Sequence, residues 1–457
     1  MSEVQGAGRA QYAEMMRLPG APWFVVTSAI ARLPVTMASI AFLIYVQRMT
    51  GTFADSGMVS GSVLVGMACG TVAQGRLIDI FGIRRALAPV LVLFSLVAAV
   101  NFAAVESHAP VVVLAASAFL FGVTQPSVSP ASRAVWAKEL PSGRVLEAAL
   151  TYEAISLEVF FILGPALAGM LAALPWAGTG LLVTVVLLVG GSMAFLAMPL
   201  VGRAGRSESK GAERRLERIE SKRQSRALVH NRGLHTLVLI TGGFGILLGT
   251  VEVVAPAVAV DAGHHALGGA LIGAWSLTSV GFGLVYGTRP WPQALHRRAP
   301  FLLAAFALLI AMMAIPHSFV GFVIALMIAG TLITPQSTVH SLLVDRVAPA
   351  AASGEAFAWV VTAVTLGLGL GQGSAGLVFA RYGAAPALLG AVLVGLLIAG
   401  VAWLRRATLV PVDATADVKA DATADVTAGA HPAAAALASA HALGAPSTAA
   451  TPSENTI

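Results

Sequence analysis

Three ionisable residues, Arg32, Glu158 and Glu252, stand inside long apolar stretches of the chain. A carboxylate in such surroundings can bind and release a proton, and a nearby guanidinium can hold it charged, so this set has the chemistry to couple proton movement to another event. A second group fills the run GRLIDIFGIRRAL, where Gly75, Asp79, Gly82, Arg84 and Arg85 lie between two apolar stretches. There Asp79 supplies a fixed anion that needs a positive partner, Gly75 permits two helices to approach closely, and Gly82 permits a tight reversal. A third group breaks apolar stretches with proline: Gln125-Pro126-Ser127 and Thr334-Pro335-Gln336-Ser337.

What these residues can do depends on the solvent around them. Of 457 residues, 57% are hydrophobic and 11% charged, and the mean hydropathy is +0.82. No soluble class has that composition, and a bilayer does. A hydrocarbon core about 30 Å thick takes roughly 20 apolar residues of helix. Twelve stretches qualify, near 22–47, 56–75, 86–105, 110–133, 147–172, 177–200, 234–259, 268–287, 300–316, 318–342, 355–380 and 384–404. None alternates in polarity with a period of two, so helices rather than barrel strands are expected.

Lys and Arg fall almost entirely in alternate loops, which places both termini in the cytoplasm of a cell membrane. The net charge of +6 is therefore that of basic loops on an inner membrane face and gives no reason to expect nucleic acid. Cys69 is the one cysteine, which excludes a disulfide framework. His264-His265 and His340 lack metal-ligand spacing, so no metal site is expected. Residues 1–20 are polar, and no cleavable signal is expected. Without a G-x-x-x-x-G-K-[ST] loop, ATP is not the direct energy source, and no cofactor is expected.

The chain divides into a segment at 1–21, six spans at 22–202, a basic link at 203–232, six spans at 233–405 and an Ala/Thr/Asp/Pro tail at 406–457. The link reads as a solvated or surface helix and the tail as disordered. The halves echo one another at a spacing of about 208 residues: Gly122 and Pro126 with Gly330 and Pro335, Glu147 with Glu355, and GPALAGML with GQGSAGLV.

On these residues the chain resembles the major facilitator superfamily across about 20–405. Gly75, Leu77, Asp79, Gly82, Arg84 and Arg85 match that family's G-x-L-x-D-x-x-G-x-[RK]-[RK] signature after the second span. The resemblance implies an all-α polytopic membrane protein of twelve helices in two pseudo-symmetric bundles, and not an enzyme. It also implies that Asp79 docks at the start of the eleventh helix near Ser353-Gly354, with Arg84 or Arg85 reaching Glu355, as a latch on the cytoplasmic side. In the fifth helix Gly164, Pro165 and Gly169 match part of an antiporter pattern, with Phe160 and Ala168 where glycines are expected. Ala118 stands where the drug–proton branch has an arginine.

At a rise of about 1.5 Å per residue, Arg32 and Glu158 both lie about 15 Å from the cytoplasmic face, so an interaction between them is expected, as a structural pair or a proton-coupling one. Glu252, late in the seventh helix, is a second candidate proton site, and Glu153 a rim or functional carboxylate. Gln125, Pro126, Thr334, Pro335 and Gln336 are the candidate substrate positions, since paired breaks in the two halves point to a central site; as kinks they would serve the inner gate. Trp275, Phe357 and Trp359 could stack on a solute, Trp359 equally an interfacial anchor. The expected function is efflux of a small organic or drug-like solute by proton antiport, in a functional monomer with solute, protons and lipid as partners. A solute:proton symporter and a transport-inactive sensor are the alternatives.

Overall fold

The computed structural model describes residues 12–410, apart from 141–142, 173, 205–229, 265–266, 289–292, 317 and 349–352. Most of the basic link and the tail beyond 410 therefore lie outside the described residues. The described residues run past the expected start of the tail, and there Arg406–Leu409 form a 3₁₀ turn with Leu409 buried.

Fourteen helices make up the membrane part: α1 (Ala21–Thr50), α2 (Phe53–Phe81), α3 (Ile83–Glu106), α4 (Val111–Thr124), α5 (Val128–Glu139), α6 (Arg144–Leu171), α7 (Thr179–Ala197), α8 (Arg232–Asp261), α9 (Leu267–Thr288), α10 (Leu295–Met312), α11 (Phe319–Gly330), α12 (Ile333–Val347), α13 (Ser353–Tyr382) and α14 (Ala384–Leu404). Helices α4 and α5 together make one span, as do α11 and α12. Among the described residues eleven spans are long and apolar enough to cross a bilayer, and α9, with the shorter apolar stretch Leu267–Gly283, stands as the twelfth. No strand occurs among the described residues.

Helix ends are set by local chemistry. Thr52 caps α2 by accepting from the amide of Asp55, and Asn231 caps α8 by accepting from Gly233 and Leu234. Such caps satisfy amides that the helix itself cannot. Gly82 alone separates α2 from α3, at φ +81, where an L side chain would be strained. Arg84 closes another end: its guanidinium donates to the carbonyls of Leu196, Ala197 and Met198 at 2.8, 3.3 and 3.0 Å. It thus neutralises the C-terminus of α7.

Helices α1 and α8 are the most enclosed spans. Outer spans carry exposed apolar side chains, Leu96 and Val100 on α3 and Leu393 and Leu397 on α14 among them. That surface is the one a bilayer would cover. The even number of spans puts both ends of the membrane part on one face, here the terminal face, with the short connections at 50–53 and 382–384 on the far face.

Two glycine seams close the far face between the halves. A Cβ on Gly57 of α2 would stand 2.5 Å from the carbonyl oxygen of Gln372 on α13, and one on Gly61 would stand 2.6 Å from that of Gly369. Phe53 and Phe379 meet edge to face at the outer limit of this seam. Gly169 of α6 and Gly269 of α9 pack backbone to backbone in the second. Bare backbones permit such an approach; any side chain would force them apart.

Candidate functional site

A cavity of about 140 Å³ lies between the halves, walled by α1, α2 and α6 on one side and by α8, α9, α12 and α13 on the other. Most of its wall is apolar: Leu64, Leu157, Phe161, Leu248, Val360 and Val364. The polar exceptions come from a few side chains, and Glu252 is the one carboxylate among them.

Glu252 is 7% exposed, and its Oε2 accepts a 2.7 Å hydrogen bond from Nε2 of Gln372. That amide cannot neutralise a carboxylate, so the group faces the cavity without a described cationic partner. Burying a bare charge is expensive, and a carboxyl here gains from protonation or from a cation arriving in the cavity. Gln372 also contributes the carbonyl against which Gly57 packs. The carboxyl is therefore wired to the helix that closes the far face.

Arg32 has a different character. Its Nη1 lies 2.6 Å from Oε2 of Glu153, Nη2 donates to the Glu153 carbonyl at 3.0 Å, and Nε donates to Ser129 at 3.1 Å. The other carboxylate oxygen of Glu153 accepts from Ser132 at 2.6 Å and from the Trp136 indole at 3.1 Å. Both side chains are buried. This pair pins α1, α5 and α6 together within one half and gives each carboxylate oxygen of Glu153 a partner. The partner expected from sequence was Glu158; the described partner is Glu153, and the side chain of Glu158 lies outside the described residues.

The two broken spans differ. Between α4 and α5, Gln74 of α2 donates to the carbonyls of Val123 and Gln125, both at 2.9 Å, and accepts from the amide of Ser127 at 2.9 Å. The break is a sealed joint, and neither Gln125 nor Pro126 lines the cavity. Between α11 and α12 the break does reach it. Thr334 lines the wall beside Ser279, with hydroxyl oxygens 2.7 Å apart. Pro335 and Gln336 are buried behind, and Gln336 Nε2 lies 2.9 Å from Nε2 of His340, itself in the wall.

In the loop signature, no described atom lies within 4 Å of where a Cβ on Gly75 would stand, so close packing does not explain that glycine in this conformation. Arg84 is committed to α7 rather than to Glu355, and Arg85 is exposed. The side chains of Asp79, Ser353 and Gly354 lie outside the described residues, and with them the expected latch. A described contact between the halves nearer the terminal face is Arg133 of α5 over the ring of Phe357 on α13, 4.6 Å from its centroid. On α6, a Cβ on Gly164 would stand 2.8 Å from Cβ of Thr36 on α1, Pro165 lines the cavity, and Gly169 belongs to the far-face seam. Trp275 and Phe357 line the cavity, whereas Trp359 is exposed.

The sequence profile described as the Major Facilitator Superfamily matches residues 24–371. The chain belongs to this superfamily. Superfamily members among solved structures share its fold at low identity. The D-xylose-proton symporter aligns with a TM-score of 0.60 at 13% identity, over 83% of this chain and 97% of that one. A bacterial homolog of the human lysosomal transporter Spinster, solved inward-facing and unoccupied, aligns at 0.61 and 11%, over 86% and 98%. The nucleoside transporter NupG aligns at 0.56 and 12%, over 84% and 99%. No curated protein sequence matches the chain. This superfamily protein is a multi-pass membrane transporter of the secondary type, built to carry a small molecule.

Gln74, Gln372 and His340 have no functional reading in the sequence, whereas Glu153, a second carboxylate in an apolar span, is already a candidate there. The two glutamines carry no signal beyond being polar residues in apolar helices.

Proposed function

We propose that this transporter exports a small, largely apolar organic solute across the cytoplasmic membrane in exchange for protons, acting as a monomer with both termini in the cytoplasm. The observation that carries this reading is Glu252, the one carboxylate lining a mostly apolar cavity, hydrogen-bonded to Gln372 of the helix that forms the far-face seam. In the proposed cycle the sealed far face is the outer one. A protonated Glu252 makes a weaker acceptor for Gln372 than a charged one, because hydrogen bonds to ionised groups are the stronger. Protonation thus loosens the tie between α8 and α13, while deprotonation restores it. The proton and the solute compete for one site, and competition of this kind gives exchange.

The segment at 1–21, the basic link at 203–232 and the tail at 406–457 are assigned to the cytoplasm by the distribution of Lys and Arg. Within this reading Arg32 and Glu153 serve as a fixed pin rather than as the coupling pair.

The test is transport in proteoliposomes under an imposed pH gradient, with cationic, neutral and anionic solutes. Solute should move against the proton gradient, and Glu252→Gln should abolish the dependence on that gradient while leaving downhill solute exchange. Solute moving with protons would replace antiport by symport. Absence of flux for every solute would leave a sensor.

A further inference from the structure

The cavity has two chemically distinct ends. Near the far face stands Glu252, with Oε2 taken by Gln372 and no described group on Oε1. At the other end stands His340, whose ring meets that of Phe244 edge to face at 5.4 Å. Phe244 and Glu252 both line the cavity and lie eight residues apart on α8, about 12 Å along the helix axis.

Gln336 fixes which proton His340 offers. The amide Nε2 of Gln336 can only donate, so the His340 Nε2 that it meets at 2.9 Å accepts. A neutral imidazole accepting at Nε2 carries its proton on Nδ1 and donates there, and no described group accepts from it. The cavity therefore presents a carboxyl at one end and a neutral donor at the other, with mostly apolar walls between. No Lys or Arg is among the residues that line it.

We infer that this cavity is a two-ended binding site for an amphipathic organic cation, whose ammonium group meets Glu252 and whose hydrogen-bond acceptor, at the other end of the cavity, meets Nδ1 of His340. This rests on the proposed transport reading and names its substrate class. Glu252 then selects for charge, His340 selects for an acceptor at the correct distance, and Gln336 positions His340 without touching the solute.

The experiment is calorimetric titration of the full-length protein in nanodiscs, corrected against empty nanodiscs, with four probes of similar length: ω-methoxyoctylammonium, nonylammonium, nonanol and nonanoate. The ammonium probes should bind and nonanoate should not, and the methoxy compound should bind about five- to tenfold tighter than nonylammonium, as one added neutral hydrogen bond allows. Glu252→Gln should erase the preference for nonylammonium over nonanol. His340→Phe, and His340→Leu as a second variant, should erase the methoxy advantage and keep the preference for ammonium. Gln336→Leu should reduce that advantage without removing it.

Nonanoate binding as tightly as nonylammonium, or equal binding of the methoxy and plain ammonium probes to the unaltered protein, would overturn the inference, and neither result depends on a variant folding. The binding pattern without proton-driven flux in vesicles would remove the proposed function and leave this site standing. Proton-driven flux of neutral solutes with no charge preference in binding would do the reverse.

Discussion

Arg32 and Glu153 show how one buried pair can be structural while one lone carboxylate in the other half is not. Every polar atom of the Glu153 carboxylate is engaged, by Arg32, Ser132 and Trp136, whereas Glu252 has only an amide. Removing one partner of a buried pair leaves the other charged and unpaired, at a cost of about 3–5 kcal/mol. Arg32→Ala should therefore lower the thermal unfolding midpoint of the purified protein sharply, and the double replacement Arg32→Met with Glu153→Leu should recover most of that loss. Glu252→Gln, by contrast, should leave the midpoint unchanged or raised, because it removes an uncompensated charge and keeps a group that can still meet Gln372. A midpoint that falls equally in Arg32→Ala and Glu252→Gln would show that the two carboxylates play the same role.

At the scale of elements, the broken spans depend on side chains far away in sequence. Gln74 satisfies two carbonyls and one amide that the α4–α5 break releases, in surroundings where water is scarce and an unpaired backbone group costs about 1–3 kcal/mol. Gln74→Leu should consequently destabilise the protein by several kcal/mol in denaturant titration, and Gln74→Glu by less at low pH, where a protonated carboxyl accepts from Ser127 and donates to one of the two carbonyls. A Gln74→Leu protein as stable as the unaltered one would mean that the break finds other partners.

The existence of both breaks was legible in Pro126 and Pro335, and the spans themselves in apolar runs of bilayer length, because both signals are local. What the breaks do was not legible. Whether Thr334 reaches the cavity and Gln125 does not depends on how each helix is rotated against its neighbours, which periodicity cannot fix when a span is apolar on all sides. The same rotation decides that Arg32 meets Glu153 as its described partner. The expectation that Arg84 or Arg85 reaches Glu355 rests on the loop alone; Arg84 meets the carbonyls of α7, more than a hundred residues along the chain.

For the molecule as a whole, the far-face seam is the feature whose failure is easiest to read. Gly57 and Gly61 of α2 stand against backbone of α13, and the atoms that an added Cβ would meet, at 2.5 and 2.6 Å, are carbonyl oxygens with no side-chain freedom to yield. Gly57→Val therefore has one inexpensive response, separation of α2 from α13 at that end, which opens the cavity toward the far face. Opposing this are the second seam at Gly169 and Gly269 and the Phe53–Phe379 contact, so the outcome is a shifted population rather than a rupture. A reporter follows from the cavity wall. Ser39 lines the cavity, and Cys69, exposed on α2, can be replaced by alanine to give a clean background. In that background a cysteine introduced by Ser39→Cys should react slowly with a membrane-impermeant maleimide applied from the far face, and at least about tenfold faster once Gly57→Val is added, which corresponds to a shift of about 1.4 kcal/mol in the balance between the two states. Equal labelling rates in the two proteins would mean that the seam does not hold the far face closed, and the closing element would then have to be sought where α6 meets α9.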